Sequence, residues 1–305
     1  MSRDGSGTKF GFAAVIGEPN AGKSTLINHI VGTKVSIVSP KVQTTRTRVL
    51  GIAIEDQTQI VFVDTPGIFQ PDHKNNLERA IVASAWEGVA ESEVILLLVD
   101  VSKKMGGSTK IILERLQEET GKRCILVLNK IDRIKPEALL SLSQQLNEEY
   151  DFEATFMISA LKGRGVSDLL AYLTDKMPEG PWHFPEDQVT DMPMRLMAAE
   201  VTREKLFKTL HQELPYNLTV ETENWEAFDN GSIKIDQTIF IAREAHKKMI
   251  LGKGGAMIKK IGQMSRLELE EILETQVHLK LFVKVQENWF EDEDRYALWG
   301  LDSKA

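Results

Sequence analysis

Residues 17–24 read Gly17-Glu18-Pro19-Asn20-Ala21-Gly22-Lys23-Ser24, followed by Thr25, and satisfy the G-x-x-x-x-G-K-[ST] spacing of a phosphate-binding loop. The residue types suit one kind of chemistry. The glycines at either end let the chain curl so that successive N–H groups face one point and can cradle phosphate oxygens. A helix starting at Lys23 would add the partial positive charge of its N-terminus. The Lys23 ammonium would reach the outer phosphates, and the Ser24 hydroxyl would sit on Mg²⁺. The pattern implies a nucleoside triphosphate site.

Three further groups bear on the base. Asp64-Thr65-Pro66-Gly67 closes the apolar run 60–63, where Asp64 can hold the Mg²⁺ shell and the Gly67 N–H can bond a γ-phosphate. Asn129-Lys130-Ile131-Asp132 closes the run 124–128. Guanine carries N–H donors at N1 and N2 that adenine lacks, so the Asp132 carboxylate can accept two hydrogen bonds from guanine alone. Adenine would leave that carboxylate unpaired, which discriminates strongly. Ser159-Ala160, after the run 155–158, would present a backbone N–H to guanine O6. The order of the four groups matches the guanine-nucleotide hydrolases, so GTP and GDP are the expected ligands.

Such loops need strands to hold them. The runs 94–99 and 125–128 are continuously apolar, as strands buried on both faces are. Segments 109–119 and 136–149 carry helical spacing. Residues 10–177 are therefore expected to form an α/β, doubly wound, mostly parallel P-loop GTPase domain, with residues 1–9 a flexible polar start. Segment 177–185 holds three prolines and a glycine, a density that neither helix nor sheet interior tolerates. Residues 178–190 are expected as a linker and 191–305 as a second domain. A chain of 305 residues is long enough for two cores. The single cysteine, Cys124, lies in an apolar strand and reads as a core residue, and the six histidines have no metal-ligand spacing. The N-terminus lacks an apolar leader and no run approaches a membrane span, so an intracellular, cytoplasmic location is expected.

In the second half a helix over 194–212 precedes two alternating segments, 218–228 and 232–242, joined at Asp229-Asn230-Gly231, a hairpin signal. A helical stretch at 245–250, the block Gly252-Lys253-Gly254-Gly255, a helix over 256–274 and a strand over 277–286 follow. A GxxG joining two helices behind a hairpin has the architecture of a KH RNA-binding domain. Residues 181–305 hold 16 Lys/Arg against 22 Asp/Glu, yet from Arg243 to Arg266 seven basic residues meet only Glu244. Lys247, Lys248, Lys253, Lys259 and Lys260 thus gather charge around the loop and would steer RNA whatever the domain's total. Met249, Ile250, Leu251, Met257, Ile258 and Ile261 are candidates both for a groove floor and for core. For Trp289, Phe290, Tyr296 and Trp299, packing is favoured over base stacking.

With both halves read, the chain resembles the Era family, bacterial GTPases with a C-terminal KH domain. The resemblance rests on Gly17–Thr25, Gln43-Thr44-Thr45-Arg46, the 64–67, 129–132 and 159–160 groups, Glu213-Leu214-Pro215-Tyr216, the GxxG block and Val277-His278-Leu279. It implies a type II KH domain, α+β, behind the GTPase domain. It also implies binding of the 3′ end of 16S rRNA and a role in rRNA processing and assembly of the 30S ribosomal subunit. Peripheral association with the inner membrane is known in the family, but no residue here shows it; a monomer is expected. Mg²⁺ would be held by Ser24, Asp64 and a threonine, Thr45 favoured over Thr44, with Lys23, Thr45 and Gly67 in catalytic roles. Ile68 stands where many GTPases carry a water-orienting glutamine, so intrinsic hydrolysis should be slow. Asn20 resembles the residue that related GTPases use to bind K⁺. Gly254 occupies a position often basic in relatives, and Lys253 can compensate. The competing reading is a signalling GTPase whose second domain binds a protein or a membrane surface.

Overall fold

A computed structural model describes residues 7–39, 41, 44–71, 75–103, 106–118, 122–210 and 218–302. Gln43 and the 213–216 segment lie outside these described residues. The apolar runs become strands β1 (Lys9–Gly17), β2 (Val49–Glu55), β3 (Thr58–Asp64), β4 (Val94–Asp100), β5 (Arg123–Asn129) and β6 (Ala154–Ile158). They form one sheet in the order β2-β3-β1-β4-β5-β6, parallel throughout except for antiparallel β2.

Alternation along each strand builds a core on either side. Ala13, Val15, Leu96 and Leu98 join one cluster with α1 (Lys23–Val31) and α5 (Val166–Lys176). Ala14, Ile16, Ile95 and Leu97 join the other with α2 (Asn76–Ala90), α3 (Gly107–Glu118) and α4 (Pro136–Glu149). With both faces covered by helices, continuous apolar strands are what the sheet requires. The four sequence groups that could bind nucleotide all follow C-terminal strand ends, where ligands bind in open α/β sheets.

The contacts divide the chain into two units, one of Met1–Ser36, Val42–Asp191 and Tyr296–Ala305, the other of Ile37–Lys41 and Met192–Arg295. The expected linker at 178–190 therefore belongs to the first unit. Glu179 bridges Lys9 and Thr190 bridges Gly51, both antiparallel. The buried Gln59 side chain accepts from the His183 and Phe184 amides at 3.0 Å each and donates to the Phe184 carbonyl at 2.8 Å. His183 also stacks on Phe10, with centroids 3.8 Å apart. Proline forbids a helix here but not an extended strap whose backbone groups find partners. The expected flexible start is corrected for the same reason at its end. Thr8 is buried and its hydroxyl donates to the Gly180 carbonyl at 2.9 Å, and Lys9 opens β1.

The second unit runs α6 (Met194–Thr209), β7 (Leu218–Ala227), β8 (Ile233–Ile241), α7 (Glu244–Leu251), a 3₁₀ turn at Lys253–Gly255, α8 (Ala256–Leu273), β9 (Val277–Val285) and α9, whose range Glu293–Leu298 crosses the division between the units. β7 and β8 pair antiparallel and β9 joins β8 in parallel. Leu206 and Phe207 of α6, Ile250 of α7 and Ile261 of α8 pack with Val220, Ile239 and Ile241. This is the α-β-β-α-α-β order of a type II KH domain. Ile250 and Ile261 are thus core, whereas Met249 is exposed. Trp289, Tyr296 and Trp299 are buried, in keeping with packing, while Phe290 is exposed. No helix among the described residues is long and apolar enough to cross a membrane.

Candidate functional site

The phosphate loop turns between the end of β1 at Gly17 and the start of α1 at Lys23. Gly22 has φ 105°, and a Cβ there would collide with the Asn129 side-chain amide, so only glycine fits. Lys23 is 6 % exposed and its ammonium donates to the Gly17 and Glu18 carbonyls at 3.2 and 3.1 Å. Burial lowers its pKa to about 8, against the raising charges of Asp64 and then Glu18. The loop carbonyls thus hold the Lys23 ammonium in place.

Its neighbours brace it. Glu18 Oε1 accepts from the Thr109 N–H at 2.8 Å and the Thr109 hydroxyl at 2.7 Å, capping the first turn of α3. A Cβ on Gly67 would come within 2.8 Å of Pro19 Cα, so the 64–67 turn lies directly against the loop. The Ile68 amide donates to the Gly17 carbonyl at 3.1 Å, and the Ile68 side chain is 1 % exposed within the core. The Thr65 hydroxyl donates to the Val15 carbonyl at 2.7 Å, which ties the 64–67 turn to β1. Pro66 is buried and Thr25 half-buried.

Ser24, Thr45 and Asp64 come together. The Ser24 hydroxyl donates to Asp64 Oδ2 at 2.7 Å and lies 3.1 Å from Thr45 Oγ1. Asp64 is fully buried, and its Oδ1 has no hydrogen-bond partner among the described residues. Burial pushes its carboxyl above the ordinary carboxylate range; hydrogen bonding from Ser36, the Lys23 charge and Ser24 oppose that. Two hydroxyls and a carboxylate with an orphaned oxygen are hard oxygen donors, the set that Mg²⁺ takes beside phosphate. Ser36 is not legible as a site residue, since a lone loop serine carries no signal.

The base-reading groups are cross-tied. Asn129 Nδ2 donates to the Ala21 carbonyl at 2.8 Å, and its Oδ1 accepts from the Ala160 amide at 3.0 Å. Lys130 Nζ donates to the Asn20 carbonyl at 2.7 Å and to Asp100 Oδ2 at 2.6 Å. Asn20 and Lys130 both adopt positive φ, 65° and 70°. Ser159 Oγ donates to Asp132 Oδ1 at 2.7 Å, and this bond holds the Asp132 carboxyl below its usual range. The Ser159 amide pairs with the Arg164 carbonyl at 2.9 Å, so the amides of both Ser159 and Ala160, expected at guanine O6, have partners within the protein.

In the second unit α7 ends at Leu251 and α8 starts at Ala256, with Gly252-Lys253-Gly254-Gly255 turning between them. Lys248, Lys253, Lys259 and Lys260 are exposed and Lys247 half-buried. Arg266 differs from the expected cluster. It is bound by both Glu270 carboxylate oxygens at 2.9 Å, so its charge is met locally. The burial of His246 and the nearby Arg243 charge both lower the His246 pKa, favouring a neutral imidazole in the first turn of α7.

Family comparisons agree with this geometry. The family described as 50S ribosome-binding GTPase matches residues 12–130, and the KH domain family matches 213–290. GTPase Era of Mesorhizobium japonicum is 54 % identical over 295 residues, covering 97 % of this chain and 94 % of its own. The chain belongs to the Era family of GTPases. GTPase Era of Dinoroseobacter shibae is 53 % identical over 304 residues, 99 % of this chain and 98 % of that one. A crystal structure of Era in complex with MgGDPNP and nucleotides 1506–1542 of 16S ribosomal RNA superposes with TM-score 0.91. It is 38 % identical and covers 96 % of this chain and 99 % of that one. As an Era GTPase, the chain has GTP hydrolysis as its reaction, with the phosphate loop and the Asp132 loop in one unit and the KH domain in the other.

Proposed function

We propose that this chain is a GTP-driven RNA switch. In this reading it binds the 3′ end of 16S rRNA in the cytoplasm and assists rRNA processing and assembly of the 30S ribosomal subunit. The observation that carries it is the pairing, in one chain, of the Ser24–Thr45–Asp64 oxygen set with a GxxG turn that carries exposed lysines in itself and in its flanking helices. Arg243, Lys247, Lys248, Lys253, Lys259 and Lys260 form no ion pair among the described residues. The solved Era complex, holding both MgGDPNP and 16S rRNA nucleotides, supports the same reading.

In the nucleotide site, Lys23 and the loop amides would bind the outer phosphates of GTP and the Asp132 carboxylate the guanine. Ser24 and Thr45 would hold Mg²⁺ directly and Asp64 through water. The cation, when bound, offsets negative charge on the phosphates as phosphoryl transfer proceeds. The Gly67 amide would meet the γ-phosphate. Because the Thr45 contact depends on that phosphate, the stretch 34–48 would order with GTP and relax after hydrolysis.

The test is binding of a labelled oligonucleotide of the 16S rRNA 3′ end in the presence of GDP and of a non-hydrolysable GTP analogue. A difference in affinity between the two states is expected, and its ratio gives the coupling free energy. Absence of binding in both states would overturn the reading in favour of a GTPase that acts on a protein or membrane.

A further inference from the structure

Asp64 is gripped by more than Ser24. Ser36, which lies outside every recognised motif, donates its hydroxyl to the same oxygen, Oδ2, at 2.6 Å. Ser36 is itself buried, and its backbone is clamped. Asn28 Oδ1 accepts from the Val35 and Ser36 amides at 3.0 Å each, and Asn28 Nδ2 donates to the Ser36 carbonyl at 2.7 Å. Asn28 follows Ser24 by four residues in α1, so the two side chains leave the same helix face. That face holds Asp64 twice, directly through Ser24 and through Asn28 and Ser36.

The consequence is an asymmetric carboxylate. Both hydroxyl protons go to Oδ2, leaving Oδ1 buried and without a partner among the described residues. A buried acceptor without a donor is costly, and native interiors keep few of them. A hydrated cation held by Ser24 and Thr45 would supply the missing donors.

We propose that Ser36 is a positioning residue of the Mg²⁺ site, which together with Asn28 fixes the Asp64 carboxylate so that Oδ1 faces the metal's water shell. The proposal rests on the reading of Asp64 as a Mg²⁺ shell residue. Ser36 acts through Asp64, and its clamped backbone fixes where the hydroxyl stands before any cation arrives. It also stands within the stretch 34–48 that carries Thr45.

The experiment is release of a fluorescent GDP from the full chain, followed across a Mg²⁺ titration and in EDTA, for the parent and Ser36→Ala. Ser36→Ala is expected to raise the Mg²⁺ concentration that half-slows release by about tenfold, as losing a hydrogen bond to a charged group does. The rate in EDTA should stay at the parent value, which a general loosening of the fold would not allow. An unchanged midpoint, or equal acceleration with and without Mg²⁺, overturns the proposal. Release from the parent that ignores Mg²⁺ overturns instead the reading of Asp64 beneath it. Should Ser36→Ala not fold, Asn28→Ala, which releases the Ser36 backbone without touching Asp64, is expected to raise the midpoint too. An unchanged midpoint there counts equally against the proposal.

Discussion

The Asn129 side-chain amide donates to the Ala21 carbonyl at 2.8 Å and, beside the Lys130–Asn20 hydrogen bond, fastens the guanine-reading loop to the phosphate loop. The same amide accepts from the Lys130 and Ala160 backbone N–H groups at 2.8 and 3.0 Å. One side chain thereby sets the spacing between three loops, and its position is what excludes a Cβ at Gly22. Replacement by alanine strands a buried carbonyl and a buried amide. We expect Asn129→Ala to lose about 2 kcal/mol of stability in urea unfolding. GDP affinity should fall by at least about tenfold, because the loops lose their register. Asn129→Asp is the sharper variant. It keeps the acceptor for Ala160 but turns an oxygen toward the Ala21 carbonyl, and should bind GDP as poorly as alanine. Full GDP affinity in Asn129→Asp would show that the tie to Ala21 is dispensable.

Lys23 is costly to the protein without nucleotide. Its ammonium is buried, and its pKa falls to about 8 in the folded state from the 10.5 of a free lysine side chain. The sign follows from linkage. Below pH 8 both states carry the proton and the folded state bears the full cost. Between pH 8 and 10.5 the unfolded chain binds a proton that the folded chain has lost, so stability rises with pH across that window. The difference corresponds to a cost on the order of 3 kcal/mol. Nucleotide-free Lys23→Met is therefore expected to be more stable than the parent at pH 7, to lose that rise above pH 8, and to bind no GTP. Urea unfolding at pH 7 and pH 9.5 checks the first two, and a GTP titration the third. Equal stability of parent and variant at pH 7 would mean that the buried Lys23 ammonium does not destabilise the nucleotide-free fold.

Hydrolysis should be slow and sensitive to the monovalent cation. Ile68 is 1 % exposed, so the side chain after Asp64-Thr65-Pro66-Gly67 is committed to the core and offers no group to orient water. A monovalent cation near Asn20 would supply positive charge where it develops on the phosphates. Phosphate release is expected to run faster in K⁺ than in Na⁺, and Asn20→Ala to abolish the difference. Equal rates in the two salts for the parent would remove Asn20 from the mechanism.

Much of this is legible in the residues. The strands over 60–63, 94–99, 124–128 and 155–158 show themselves as apolar runs ending at polar turns, because a parallel sheet buried on both faces admits nothing else. β2 gives no such signal, since Gly51 interrupts it; the structure explains the glycine, whose missing Cβ leaves room for Ile27 of α1. α2 and α5 are also missed by the sequence reading, although Asn75 caps α2 by accepting from the Glu78 amide at 3.2 Å. The strap at 178–190 reads as a linker because proline content reports the absence of helix, not the absence of contacts. Within the site, motif residues are found by spacing, whereas Asn28 and Ser36 matter only through a hydrogen-bond geometry that spacing does not encode. Arg266 likewise counts as basic in sequence but is met by Glu270 one turn later.

The GxxG turn allows a test in which folding and RNA binding separate. A Cβ on Gly252 would come within 2.7 Å of Met257 Cβ, so Gly252→Ala should disturb the start of α8 and cost stability. Gly254 and Gly255 also have positive φ, 59° and 77°, but a Cβ at either meets open space. Aspartate tolerates that backbone region better than most residues. The double variant Gly254→Asp with Gly255→Asp should therefore stay folded, at a cost of about 1–2 kcal/mol per position. It sets two carboxylates where an RNA backbone would approach. We expect its affinity for the 16S rRNA 3′-end oligonucleotide to fall by at least about tenfold, and further as salt is lowered, because like charges then repel over a longer range. Lys259→Ala should instead weaken binding modestly and reduce the salt slope by about 0.7, the signature of one lost phosphate contact on a single strand. Unchanged RNA affinity in a double variant with a normal melting transition would place the RNA site away from this turn.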